Sequence, residues 1–136
     1  MSDALTPVIV VEWGVDEPVY AQIARQFRVL IVNGGLPAGR VLPSVRAIAS
    51  DLGVNLNTVA RAYRMLEEER FVEIRERAGV IVAPPARNAE GLVIERLLED
   101  LESVLARMRQ AGLGGRELRR RVEQVLAGLE AGSEKG

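Results

Sequence analysis

The sequence predicts a mainly α-helical protein with one small β-hairpin, in which a helical N-terminal domain is followed by a pair of C-terminal helices. Three observations support this fold class. Apolar residues recur at three- and four-residue steps in five segments, which is the spacing of amphipathic helices. Two short runs rich in Val and Ile flank a turn near the middle of the chain. Gly, Asn and Pro separate the segments.

The first predicted elements are a short arm and a helix. Val8–Val11 form an apolar run typical of a strand or an arm, and we expect the neighbouring Trp13 to pack on the domain. Asp16 and Pro18 favour a helix start, with Asp as the cap and Pro in the first turn. The helix should end at residues 33–35, where Asn and Gly permit a left-handed backbone. Its apolar positions are Val19, Ile23, Phe27, Leu30 and Ile31.

Two helices joined by a short turn follow a loop rich in Pro and Gly at residues 36–43. Ser44 is the predicted cap of the first helix, and Gly53 ends it. Asn55 is the predicted cap of a longer helix that runs to about Glu69. Two helices with a Gly-containing turn of three or four residues are typical of a helix-turn-helix. The predicted buried positions are Val45, Ile48, Ala49 and Leu52, then Val59, Ala62, Tyr63 and Leu66.

A β-hairpin closes the N-terminal domain. Its strands are predicted at Phe71–Ile74 and Val80–Ala83, and Gly79 in the turn is the residue best able to take a positive φ. A linker should begin at Pro84 and extend to about Asn88. These boundaries divide the chain into a domain of residues 1–85 and a helical region of residues 86–136.

The C-terminal region contains two amphipathic stripes separated by a Gly-rich break at residues 112–115, and the tail after residue 130 should be frayed. Two such helices cannot bury both stripes as an isolated hairpin, so we expect two copies of the chain to pair. The predicted dimerisation residues are Ile94, Leu97, Leu98, Leu101, Leu105 and Met108 on the first helix and Leu118, Val122, Val125 and Leu129 on the second.

The composition limits the chemistry that the chain can perform. The 136 residues include neither Cys nor His, which excludes disulfides, Cys/His metal sites, thiol nucleophiles and imidazole bases. Paired carboxylates such as Glu99 and Glu102 would lie on a helix surface without a pocket. No apolar run approaches the roughly 20 residues of a membrane span, and no signal peptide is visible. We expect a soluble cytoplasmic protein that has no catalytic activity, cofactor, metal or membrane partner.

Positive charge concentrates in the middle of a nearly neutral chain. Between Arg25 and Arg64 there are six Arg and a single acid, Asp51, although the whole sequence has 18 basic and 19 acidic residues. Asn57, Arg61 and Arg64 share the face opposite the buried stripe of the second helix of the pair. The major groove of DNA admits one helix, and Asn, Thr and Arg read base edges or bind phosphates. This face is therefore a predicted DNA-binding surface.

Three motifs carry a family resemblance. PVYAQI at residues 18–23, LPAGRVLPSVR at 36–46 and GVNLNTVARAY at 53–63 closely resemble the winged-helix domain of GntR-type bacterial transcription regulators, over roughly residues 9–85. With its short helical tail, the chain looks most like the YtrA-type subfamily. The resemblance implies a winged helix-turn-helix that binds double-stranded DNA. Together with the expected pairing of the tail, it favours a homodimeric repressor, and the two-fold symmetry of such a dimer predicts an inverted-repeat operator. It requires no small-molecule effector, since the tail is too short for the effector domain of larger members.

The resemblance also implies which residues contact DNA. Arg46 falls where the family's LPSxR motif places a DNA-contacting Arg, and Gly79 falls where the wing approaches the minor groove. The full predicted set is Ser44, Arg46, Asn55, Asn57, Thr58, Arg61, Arg64, Arg75, Arg77 and Gly79. The chain departs from the family pattern at Leu56, Ala60, Arg70 and residues 77–80, so the base preference of relatives does not carry over.

One alternative function stays open at this point. A winged helix can serve as a protein-interaction module, with the helical tail docking a different partner, and the neutral overall charge is compatible with that function. The scarcity of acids between Arg25 and Arg64 favours DNA binding, because an interaction module has no reason to exclude them.

Overall fold

A computed structural model describes residues 9–85 and 91–130 of the chain. This part of the chain forms five helices and one antiparallel hairpin, which confirms the predicted fold class. Most of the predicted linker through Asn88, and all of the predicted frayed tail, lie outside the described residues. In chain order the elements are α1 (Val19–Val32), α2 (Val45–Leu52), α3 (Leu56–Glu68), β1 (Val72–Arg75), β2 (Gly79–Val82), α4 (Gly91–Gln110) and α5 (Gly115–Glu130).

The first three helices and the hairpin enclose one hydrophobic core. α3 lies at its centre and packs against α1, α2 and β1. The predicted stripe of α3 is buried throughout, and Tyr63 from this stripe meets Phe27 of α1 edge to face, with 5.5 Å between the ring centroids. Removing these side chains from water is the main source of stability for the domain, and it leaves the opposite face of α3 free.

The caps of the helix pair form as predicted. Ser44 Oγ accepts a hydrogen bond from the Ala47 N–H at 3.0 Å, and Asn55 Oδ1 accepts one from the Asn57 N–H at 2.7 Å. Each cap satisfies a donor that the first helical turn leaves unpaired. Gly53 ends α2 with a φ of +68°, in the left-handed region. The turn between α2 and α3 is therefore determined by local chemistry.

The N-terminal arm is held on α1 by the side chains of Gln22 and Gln26, which together form the glutamine clamp. Gln22 is 2% exposed; it accepts from the Glu12 N–H at 2.8 Å and donates to the carbonyls of Glu12 and Glu17, both at 2.9 Å. Gln26 accepts from the Val10 N–H at 2.9 Å and donates to the Val10 carbonyl at 2.7 Å. The two amides thus pair with the arm's backbone much as a neighbouring strand would.

Two predictions for this segment were wrong. Trp13 does not pack on the domain but is 66% exposed, because it lies in a turn between the clamped residues Glu12 and Glu17, where Gly14 has a φ of +80°. Asp16 does not cap α1. The N-cap is Pro18, which has no side-chain hydrogen bond, and its φ of −59° already suits the first helical turn.

The loop at residues 36–43 contributes an extended edge that the sequence did not indicate. Backbone hydrogen bonds of 2.8–2.9 Å join residues 39–42 to Val80 and Val82 of β2. Because Ser44 follows this loop directly, the same segment fixes the hairpin relative to the start of α2.

Arg70 provides the reversal between α3 and β1. Among the described residues it is the one non-glycine residue with a positive φ, at +68°. The reversal brings the Phe71 N–H to 2.9 Å from the Leu66 carbonyl. A left-handed conformation costs an L-residue about 1–2 kcal/mol, so the departure from glycine at this position introduces backbone strain.

The C-terminal helices form a hairpin whose second helix returns to the N-terminal domain. α5 packs against both α4 and α1, and Asn33 Nδ2 at the end of α1 donates to the Gly128 carbonyl at 3.5 Å. No described side chain of α5 is buried. On α4, six large apolar side chains are 41–56% exposed, and they form the surface that we name the tail face: Val93, Ile94, Leu97, Leu98, Leu101 and Val104.

The predicted dimerisation residues divide into two groups. Five are half-buried: Leu105, Met108, Leu118, Val122 and Leu129. The other five remain exposed, and they are Ile94, Leu97, Leu98, Leu101 and Val125. The first group is partly covered within the chain, and the second group leaves an apolar surface without a cover in the described part of the chain.

Candidate nucleic-acid interface

The outer face of α3 is polar and positively charged. Asn57, Arg61 and Arg64 are exposed there, opposite the buried stripe, and Thr58 is half-buried on the same helix. Neither of the two Arg side chains has a carboxylate partner among the residues that the structure describes. Their N–H donors are therefore available to a negatively charged or hydrogen-bonding ligand.

Tyr20, which the sequence did not single out, supports Arg61. The guanidinium carbon of Arg61 lies 3.8 Å from the centroid of the Tyr20 ring. Tyr20 is in the first turn of α1 and is partly buried against the core, so its ring is itself held in place. In the sequence, only the position of Tyr20 in the PVYAQI motif distinguishes it. Helical spacing could not connect Tyr20 to Arg61, because the two residues lie on different helices.

Tyr63 positions the start of α2. Its hydroxyl donates to the Pro43 carbonyl at 2.7 Å, next to the capping residue Ser44. Burial raises the pKa of the Tyr63 phenol far above its ordinary range, so the group remains a donor. Arg46 is exposed in the first turn of α2 and thereby occupies a fixed place on the domain.

An apolar cleft of about 360 Å³ shows that the predicted DNA-contacting elements are neighbours. Val45 at the start of α2, Ala60 and Arg64 on α3, and Ile74 on β1 line the same opening. The start of α2, the outer face of α3 and the hairpin therefore lie on one side of the domain.

The hairpin presents two different Arg side chains. Arg75 Nη2 and Nε donate to Glu73 Oε1 at 2.6 and 3.2 Å, so this side chain is already engaged. Arg77 is exposed in the turn, and the described residues give it no carboxylate partner. Gly79 has a φ of +90°, as predicted for this turn.

Two predicted contacts already use their side-chain oxygens within the protein. Ser44 Oγ and Asn55 Oδ1 are the helix caps described above, each bound to a backbone N–H of the following turn. Any contact these residues make with a ligand must therefore leave the capping acceptor in place.

The Arg-rich window carries less free charge than its composition indicates. Arg25 donates to Glu17 at 2.8 and 3.0 Å, which lowers the pKa of that carboxyl, and Arg28 donates to Glu69 at 2.8 Å. Both acids lie just outside the window, so counting charge along the sequence overestimated the local excess. Four Arg of the window form no ion pair within the described chain, namely Arg40, Arg46, Arg61 and Arg64.

Within residues 9–85 and 91–130, acidic side chains do not gather into a group of three or more that could hold a metal ion. In the same ranges, the helices are too short or too polar to cross a membrane.

Known proteins resemble the chain in both sequence and fold. The model of the family described as bacterial regulatory proteins, gntR family, matches residues 19–82. The uncharacterized HTH-type transcriptional regulator YhcF of Bacillus subtilis is 33% identical over 120 residues, which cover 88% of this chain and 93% of YhcF. The HTH-type transcriptional repressor YtrA of the same organism is 29% identical over 119 residues, covering 85% of this chain and 89% of YtrA.

The fold likeness extends into the helical tail. The crystal structure of a transcriptional antiterminator from Listeria monocytogenes EGD-e superposes with a TM-score of 0.80, over 91% of this chain and 93% of that one, at 22% identity. The family model and the relatives YhcF and YtrA confirm the predicted resemblance. The family model and the match to YhcF show that the chain belongs to the gntR family of bacterial regulatory proteins and is a DNA-binding transcriptional regulator.

Proposed function

We propose that this protein is a homodimeric repressor that inserts α3 into the major groove at each half of an inverted-repeat operator. Residues 1–85 form the DNA-binding domain, and residues 86–136 form the dimerisation region. One observation carries the proposal: the outer face of α3 presents Asn57, Arg61 and Arg64 without carboxylate partners in the described chain, opposite a fully buried stripe. A repressor agrees with the name of the relative YtrA, a transcriptional repressor.

Contacts around α3 divide into base and phosphate contacts. Asn57, Thr58 and Arg61 face the bases, because they lie in the first two turns of the helix that enters the groove. Arg46 and Arg77 bind phosphates on either side, from the start of α2 and from the hairpin. The capped N-terminus of α2 at Ser44 adds backbone N–H groups that favour a phosphate.

The tail face supports a two-fold dimer. Its side chains are about half exposed, and covering a half-exposed Leu or Ile contributes roughly 1 kcal/mol. A second copy offers the same apolar surface, so a symmetric pairing covers the tail face of both copies at once. The dimer then presents two α3 helices, which is why the operator should be an inverted repeat with half-sites about one or two helical turns apart.

Selection of bound duplexes from a random DNA pool tests the DNA-binding half of the proposal. The expected result is an inverted repeat, bound with an affinity that falls steeply with salt. Arg46→Ala should weaken binding to all sequences and reduce the log–log salt slope by about 0.9 for each phosphate that the variant no longer neutralises. Arg119→Ala is the matched control, since it removes an equal charge from α5. A pool without any enriched sequence would favour the interaction-module alternative instead.

Sedimentation velocity tests the dimer. Wild-type chain at micromolar concentration should sediment as a dimer, and Leu101→Glu should produce monomers because it places a charge in an apolar interface. Ser103→Glu adds the same charge to the polar face of α4 and should leave the dimer intact. A wild-type monomer would refute the pairing. A reporter gene carrying the selected operator then tests repression, which the Leu101→Glu variant should relieve.

A further inference from the structure

Arg61 is held differently from the other basic residues of the N-terminal domain. Arg25, Arg28 and Arg75 each donate two hydrogen bonds to a carboxylate, and Arg28 also lies 5.7 Å from the centroid of the Phe71 ring. Arg61 has no carboxylate partner in the described chain and lies closer to a ring, with 3.8 Å between its guanidinium carbon and the centroid of Tyr20. A guanidinium at this distance rests on the face of the ring, and its donors, which lie in the guanidinium plane, are not used by the contact.

Such a contact determines what kind of DNA contact the side chain can make. An unsupported Arg samples many rotamers, which suits a phosphate because a phosphate can be reached from several directions. Reading a base requires two parallel donors aimed at two fixed acceptors, so a side chain held in one orientation reads better. Arg64, on the same face of α3, has neither a carboxylate nor a ring contact within the described residues and resembles the phosphate-binding type.

We propose that Tyr20 is a positioning residue, which orients the guanidinium of Arg61 so that Arg61 donates two hydrogen bonds to O6 and N7 of a guanine in each half-site. Guanine is the base whose major-groove edge presents two acceptors at the spacing of the Arg fork. The inference rests on the proposed function, since it requires α3 to lie in the major groove. It adds a specificity role to α1, a helix that does not itself enter the groove.

A double-mutant cycle on the selected operator tests this assignment. The measured quantity is a discrimination ratio: the affinity for the operator divided by the affinity for the same duplex with one G·C pair per half-site changed to A·T. The changed G·C pair is at the operator position where Arg61→Ala shows a weaker base preference than the wild type. Wild type should show a ratio of about 5 to 150, which is typical of a bidentate base contact, and Arg61→Ala should bring it close to 1.

The Tyr20 variants separate positioning from folding. Tyr20→Phe retains the ring face and should keep the wild-type ratio. Tyr20→Leu should lower the ratio to that of Arg61→Ala even though Arg61 is present, and adding Tyr20→Leu to Arg61→Ala should change the ratio no further. A wild-type ratio in Tyr20→Leu overturns the inference, and so does an Arg61→Ala variant that weakens all sequences equally.

A second variant covers the case in which Tyr20→Leu does not fold. Arg61→Lys keeps the charge but lacks a planar fork. Its discrimination ratio should therefore fall close to 1, while the dependence of its affinity on salt stays as in the wild type. Retention of the ratio by Arg61→Lys overturns the inference. If the wild type selects no sequence from the pool, the proposed function itself is refuted. That result comes from the wild-type protein alone, so it is distinguishable from the outcomes that depend on the variants.

Discussion

Replacing Gln22 with Leu should cost this small domain a large part of its stability. Leu keeps most of the side-chain volume but removes three hydrogen bonds of 2.8–2.9 Å, to the N–H and carbonyl of Glu12 and to the carbonyl of Glu17. At about 0.5–1.5 kcal/mol for each bond, the sum is about 1.5–4.5 kcal/mol. Water can reach part of the arm and replace some bonds, so we expect a loss of about 2–3 kcal/mol.

Urea unfolding followed by far-UV circular dichroism measures this loss, at one chain concentration because the proposed dimerisation would contribute to the apparent stability. Gln26→Leu is the matched control; its bonds to Val10 lie in a more exposed part of the arm, and it should cost about 1 kcal/mol or less. Trp13, the single Trp, reports locally, since its fluorescence anisotropy should fall when the arm detaches. A Gln22→Leu loss no larger than that of Gln26→Leu would refute the reasoning.

Three further predictions concern stability, each measured by the same unfolding experiment. Ser44→Ala removes the cap of α2 and should cost about 1 kcal/mol, whereas Ser44→Asp, which keeps an acceptor, should not. Arg70→Gly relieves the positive φ and should raise stability by up to about 1 kcal/mol, while Arg70→Ala should bring no such gain. Arg120 and Arg121 lower the pKa of Glu117 from 4.5 to about 2, so this carboxylate stabilises the folded state above pH 4.5. Glu117→Gln should therefore be less stable than wild type at pH 7, and the difference should shrink as the pH falls from 4.5 towards 2.

The features that the sequence predicted correctly depend on near neighbours along the chain. The caps at Ser44 and Asn55 act within three residues, and the buried stripe of α3 follows from its helical period. The positive φ of Gly79 is also determined by near neighbours, because the tight turn of the hairpin requires it. Most of the fold class and the polar, positively charged face of α3 follow from interactions of this range.

The features that the sequence did not predict join residues far apart. Glu67–Glu69 oppose the helix dipole at the end of α3, and only the fold shows that Glu69 binds Arg28, 41 residues away. The stack of Tyr20 on Arg61 is equally distant in sequence. Side chains reach such partners through tertiary packing, which no periodicity encodes.

The contact between α5 and α1 has a mechanical consequence. Because Asn33 at the end of α1 meets Gly128 of α5, the DNA-binding domain is attached to the tail by packing as well as through residues 86–90. In the proposed dimer, this second attachment holds each DNA-binding domain in a fixed orientation on its tail. The distance between the two α3 helices is then fixed as well. Such a protein tolerates substitutions within its half-sites more readily than a change in the number of base pairs between them. Inserting about half a helical turn of base pairs between the half-sites would rotate one half-site to the opposite side of the duplex. The second α3 helix could not reach it there.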